Sequence, residues 1–252
     1  MRKFIRACPA QRLRMRMGSG VRVIFFDLGE TLVTQNIEDN MVTRQALQEI
    51  ARILPQRPRE NLFKMYQRGY RINHSLRSRH HVEIPVQTWM LQLLRKALGG
   101  EPEGRLVNRA IRIIVSSRAA NAVAFKDAKP TLEKLSKRGK KLAVISNVSS
   151  HEVALQILRN VGLGKYFDQV ITSAQTGIRK PDPGIFLYAL MRFGLKPIEA
   201  VHVGDSEEHD VRGAKAAGIR TVLISRRTMR EKTIADFHFR NLAEAADLLQ
   251  SL

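Results

Sequence analysis

The chain changes hydrophobic rhythm twice. Residues 21–26 (VRVIFF) form an apolar run broken only by Arg22. A segment with so little polarity to show water is a strand covered on both faces. Over 39–54 the period lengthens. Val42, Ala46, Leu47, Ile50, Ile53 and Leu54 recur at spacings of three and four, the stripe of an amphipathic helix. Pro55 and Pro58 end it, and a second helix is expected over 60–70. Residues 86–98 repeat the pattern through Trp89, Met90, Leu93, Leu94 and Ala97, stopping at Gly99-Gly100. A fourth helix over 106–117 carries Ile111, Ile113, Ile114 and Val115. No strand pattern stands out between about 36 and 125.

From Pro130 strands and helices alternate. Helices are expected over 131–138, 150–161, 183–193, 210–217 and 242–249, several stopped by Gly139, Gly162 or Gly218. Strands are expected over 141–146 (KLAVIS), 169–172, 200–203 and 221–224. Such alternation predicts an α/β fold, a Rossmann-like doubly wound parallel sheet. The core is assigned to 21–34 and 126–252, with a helical insertion over 35–125 and a basic tail over 1–20.

Charge changes the picture in two places. The 252 residues hold 43 Lys and Arg against 23 Asp and Glu, a net +20. Arg2, Lys3, Arg6, Arg12, Arg14 and Arg16 precede the first acid, and residues 35–130 carry 17 basic against 8 acidic side chains. Such a field attracts anions, either phosphorylated metabolites or, without sequence preference, nucleic acid. The tail has no apolar stretch of signal-peptide length. It suits a disordered segment or a start upstream of Met17, with an organellar presequence as the alternative. Cys8 is the single cysteine, which excludes internal disulfides and thiolate metal clusters and fits a reducing, cytoplasmic setting. No run reaches the length needed to cross a bilayer.

The chemistry sits at strand ends. Asp27 closes the first strand, where open α/β sheets bind ligands. Ser146 and Asn147 close KLAVISN, and Gly204, Asp205 and Asp210 follow the strand in AVHVGDSEEHD. Lys180 lies in GIRKPDPGIF, ahead of a proline-started helix. Parallel strands bring these residues to one edge. A hydroxyl, an ammonium and three carboxylates there suit an anionic group with a hard cation. Oxygen ligands without histidine or cysteine favour Mg²⁺ over zinc.

FFDLGETL, VISN, Lys180-Pro181-Asp182-Pro183 and HVGDSEEHD, in this order, resemble the four motifs of the haloacid dehalogenase-like hydrolases. The resemblance spans residues 21 to about 250 and matches the subgroup with an α-helical cap between the first two motifs. It implies that Asp27 is the nucleophile of a phosphatase acting on a small phosphorylated metabolite. Ser146, the Asn147 amide and Lys180 would bind the phosphoryl group. Mg²⁺ would be held by Asp27, the Gly29 carbonyl and Asp205, with Asp210 orienting a metal-bound water or Lys180.

One position departs from that pattern. Phosphatases of the family usually carry a second aspartate two residues after the nucleophile, as general acid and base; here it is Gly29. General acid–base help contributes about 10² to 10⁴ in rate, so slow turnover is implied. Glu30 and the cap histidines His74, His80 and His81 are the substitutes at hand, and Arg71, Arg77 and Arg79 suit an anionic substrate. Two other readings stay open: hydrolytic 2-haloacid dehalogenation, which needs neither metal nor acid, and a non-catalytic phosphate-binding sensor or nucleic-acid-associated protein. Oligomeric state has no sequence signal.

Overall fold

The computed structural model describes residues 20–58, 60–229 and 232–252. The reading of residues 1–20 as a tail falls outside them but for Gly20. Strand β1 (Val23–Phe26) is buried throughout, and its side chains alternate between two cores. Ile24 and Phe26 join one cluster, and Val23 and Phe25 the other. That two-sided burial is why the segment shows no polar period.

β1 is followed by β2 (Val33–Gln35), then four helices: α1 (Asp39–Arg52), α2 (Leu62–His80), α3 (Val86–Leu98) and α4 (Gly104–Ala120). They pack around their own apolar cluster, which includes Leu47, Ile50, Met90, Leu94 and Ile114 and also takes in Val153. β3 (Ala122–Ala124) corrects the expectation of no strand before residue 125. It pairs antiparallel with β2, so the chain leaves and re-enters beside itself. Three residues on each side are too few to give a period.

The rest follows the expected alternation with two unforeseen short elements, the fourth helix and the last strand of this series: α5 (Ala128–Lys137), β4 (Lys141–Ser146), α6 (His151–Asn160), β5 (Gln169–Thr172), α7 (Ser173–Thr176), α8 (Gly184–Phe193), β6 (Ala200–Gly204), α9 (Gly213–Ala216), β7 (Arg220–Ile224), β8 (Phe237–Phe239) and α10 (Leu242–Ser251). The unforeseen pair are α7 and β8. The sheet order is β5-β4-β1-β6-β7-β8, with every pair parallel. Strand order reverses at β1, with β4 on one side and β6 on the other, and a crevice opens at such a switch point. One apolar cluster packs the sheet against α5, α6 and α10, and the other against α8 and α9.

Three details differ from the sequence reading. β8 went unnoticed because it is only three residues long. Helix 210–217 is instead a wide π turn, Glu207–Arg212, leading into α9. α2 runs ten residues beyond Tyr70, because its inward face there is polar: Asn73 is buried and Arg77 largely so. An apolar period cannot reveal such a turn.

Candidate active site

A cavity of about 600 Å³ opens at the C-terminal ends of β1, β4 and β6. Asp27, Gly29, Ser146, Asn147, Lys180, Asp205 and Asp210 all line it, so the structure brings together the seven residues named for the nucleophile, the phosphoryl group and the metal. Lys180 is the hub. Its Nζ donates to Asp27 Oδ1 at 2.6 Å, to Asp210 Oδ1 at 2.6 Å and to the Ile145 carbonyl at 2.9 Å.

Backbone contacts fix that hub. The Asn147 side chain grips the Lys180 backbone twice: Lys180 N donates to its Oδ1 and its Nδ2 donates to the Lys180 carbonyl, both at 2.8 Å. A Cβ on Gly204 would lie 2.2 Å from Asp210 Cγ, so only glycine lets that carboxylate reach the strand end. A Cβ on Gly213 would meet the Pro181 carbonyl at 2.8 Å, which shows how tightly the turn bearing Asp210 abuts the lysine loop. Asp210 uses both oxygens. Oδ1 also accepts from His202 Nε2 at 2.9 Å, and Oδ2 accepts from Ser206 N at 3.0 Å.

The charges do not balance. Asp27, Asp205 and Asp210 each place a carboxylate oxygen within 4.8 Å of the others. Burial, joined by repulsion from Asp210 and Asp205, pushes the Asp27 carboxyl up to about 7 even though Lys180 pulls it down. Burial and Asp210 likewise push Asp205 up to about 6. Burial opposes the charge on Lys180, but Asp210 and Asp27 hold it above the ordinary lysine value. One ammonium among three desolvated carboxylates leaves room for a further cation. The all-oxygen donor set fits a hard divalent ion.

The turn after Asp27 is held from outside. Glu30 sits at φ 52°, and Arg226 donates to the carbonyl of Thr31 at 2.6 Å, pairs with Asp127 and stacks on Phe125. The Glu30 carboxylate accepts from Thr34 Oγ1 at 2.9 Å on the cavity's edge. A Cβ on Gly29 would meet nothing within 4 Å, so the space for the missing acid is present.

The cap candidates divide. Arg77 lines the cavity, whereas Arg71 and Arg79 are exposed and do not. None of His74, His80 and His81 lines it; the imidazole at the cavity belongs to His209. Sequence reasoning also missed Tyr70, Arg118 and Arg179. Arg179 had a signal, its place beside Lys180, but Tyr70 and Arg118 had none without the helix packing.

A parallel sheet bearing a strand-end aspartate, with a helical unit inserted just after it, defines a class of hydrolytic enzyme built on a Rossmann-like core. The model of the haloacid dehalogenase-like hydrolases matches residues 21–218, and the chain belongs to that family. It is similar to the glyceraldehyde 3-phosphate phosphatase of Methanopyrus kandleri, 28% identical over 240 residues, covering 92% of this chain and 98% of the relative. A 2-haloacid dehalogenase from Pseudomonas syringae pv. Tomato shares the fold with a TM-score of 0.71 and 26% identity, covering 92% and 99% of the two chains. A HAD phosphatase from Thermococcus onnurineus does so with a TM-score of 0.63 and 27% identity, covering 90% and 97%.

Proposed function

We propose that this enzyme is a Mg²⁺-dependent phosphomonoesterase acting on a small phosphorylated metabolite, with Asp27 as nucleophile. The supporting observation is the cluster of three carboxylates around one lysine, a donor set that calls for a cation. Haloacid chemistry uses an aspartate nucleophile and no metal, so it has no need of Asp205 and Asp210 together beside Asp27, whereas two further carboxylates make sense around a cation.

Asp27 attacks phosphorus, an aspartyl–phosphate bond forms, and the bond from phosphorus to the leaving oxygen breaks. That oxygen takes a proton from water, since Gly29 offers none. A second water then attacks phosphorus, releases inorganic phosphate and restores the Asp27 carboxylate, its proton passing to solvent. Lys180 neutralises charge on the nucleophile and the phosphoryl oxygens, and Ser146 donates to one of them. Asp27, Asp205 and the Gly29 carbonyl would hold Mg²⁺, which supplies the positive charge that keeps both carboxylates ionised. Asp210, bonded on both oxygens, positions Lys180 beside them. The helices of 35–125 act as a cap that excludes water and selects the leaving group.

The test is turnover of phosphomonoesters with Mg²⁺, after EDTA, and after Mg²⁺ is restored. Activity that disappears and returns is expected. Turnover of 2-chloropropionate indifferent to EDTA would establish dehalogenation instead, and equal background rates in wild type and Asp27→Asn would leave only binding.

A further inference from the structure

The cavity has a second cationic corner, on the cap side. Arg77 from α2 and Arg179 from the loop before Lys180 both line it. Between them lies Glu83, whose side chain is 0% exposed. Its Oε1 is 2.9 Å from Arg77 Nε, and its Oε2 accepts from Arg179 Nη1 and from Ser173 Oγ. Arg77 Nη2 also donates to the Ile84 carbonyl at 2.6 Å. Main-chain bonds stitch the two segments together. Val82 bridges Ile178, Glu83 N donates to the Gly177 carbonyl at 2.8 Å, and Arg179 N donates to the His81 carbonyl at 2.8 Å.

The two guanidinium groups are therefore fixed relative to each other and to Lys180. Each has five N–H donors, and the contacts above occupy a minority of them. Two arginines and one glutamate leave a net charge of +1, which matches a monoanion better than a dianion. Planar forks of this kind suit a carboxylate. Arg118, the other arginine lining the cavity, instead points its Nη2 at Asp39, Thr43 and Tyr66, at 3.3–3.4 Å.

We infer that Arg77 and Arg179 form a carboxylate subsite for the leaving group, so that the substrate is a phosphorylated small carboxylic acid. This rests on the phosphomonoesterase reading and narrows its substrate class. A cavity of about 600 Å³ is within the size range of small-ligand sites.

The experiment compares kcat/KM for 2-phosphoglycolate and 3-phosphoglycerate with that for ethyl phosphate and glycerol 3-phosphate, with Mg²⁺ present. The same four esters are titrated calorimetrically into Asp27→Asn, which reports binding without turnover. A preference of about 10- to 100-fold for the carboxylated esters is expected, the range for charge-assisted hydrogen bonds, and it should lie mainly in KM. Arg77→Gln should bring the ratio close to one and Arg77→Lys should retain part of it. Arg71→Gln, on the exposed face of the same helix, should leave the ratio unchanged. Equal affinity of wild type and Asp27→Asn for esters with and without a carboxylate overturns the subsite, whether or not they are hydrolysed. Tighter binding of 1,3-propanediol bisphosphate than of 3-phosphoglycerate overturns its monoanion character. A binding preference without hydrolysis of any ester supports the subsite and overturns the phosphatase reading.

Discussion

The strand-end lip and the cap wall opposite it share one cavity but are built by different means. At the lip, Asp27, Ser146, Asp205 and Asp210 follow three adjacent parallel strands, and backbone register sets their spacing. On the wall, Arg77 and Tyr70 project from a helix placed mainly by side-chain packing and a buried ion network around Glu83, with main-chain bonds only at its end, between 81–83 and 177–179. Hydrogen-bonded register holds groups to fractions of an ångström, as bond making requires. Side-chain packing can be re-specified residue by residue, which suits choice of leaving group. The lip should therefore govern kcat, and the wall KM and preference.

The comparison breaks most sharply at Asp27. Asp27→Asn should lower kcat by about 10⁴-fold or more while ester binding persists, as removal of a nucleophile does; single-turnover assays and calorimetry check both halves. Loss of binding together with rate would mean that the lip also selects. The reverse change is next. Gly29→Asp enters open space and is expected to raise kcat by about 10² to 10⁴, the usual contribution of a general acid. A pH–rate profile should gain a limb that the wild type lacks, and no gain in rate would show the acid was never limiting.

On the wall side, Met90 is fully buried among helices α1–α4. Met90→Ala should cost about 2–5 kcal/mol of stability in urea unfolding. KM is expected to rise before kcat falls, and an equal fall in kcat would erase the distinction drawn above. The smallest effect lies away from the cavity. Asp236 accepts from Lys215 Nζ at 2.7 Å and from Thr221 N and Oγ1 at 2.8 Å. Burial alone would raise its carboxyl, but these bonds outweigh it and hold the value below 3.8. Its stabilising contribution is therefore present above the unfolded value and is lost as pH falls through the lower folded one. Asp236→Asn should cost about 1 kcal/mol at neutral pH and flatten the acid limb of the Tm–pH curve, with kcat and KM untouched.

Legibility followed the same division. β1, β4, β6 and β7 were readable because near-complete burial leaves mostly apolar residues, and the lip residues were readable because they interrupt or end such runs. β2, β3 and β8 have three residues each, too few to carry a period. The second half of α2 was hidden because Asn73 and Arg77 face inward, so its pattern has the polarity of a surface helix. His74 was a candidate by residue type alone, and the fold gave the cavity His209 instead. Asn147 was chosen for its amide, yet its side chain is the clamp on Lys180.

The sequence by itself determined the alternation of elements, the family and the lip residues, because the motif order and the apolar runs are local properties of the chain. It also exposed the missing acid at Gly29. Only the tertiary structure decided which charges meet. Glu83 faces Arg77 six residues away and Arg179 nearly a hundred away, and no local pattern records that contact. The excess of carboxylate at the lip is likewise a sum over Asp27, Asp205 and Asp210, which are desolvated together only once the sheet has formed. Burial and proximity turn ordinary aspartates into a cluster whose carboxyls are pushed up, and both are properties of the folded chain.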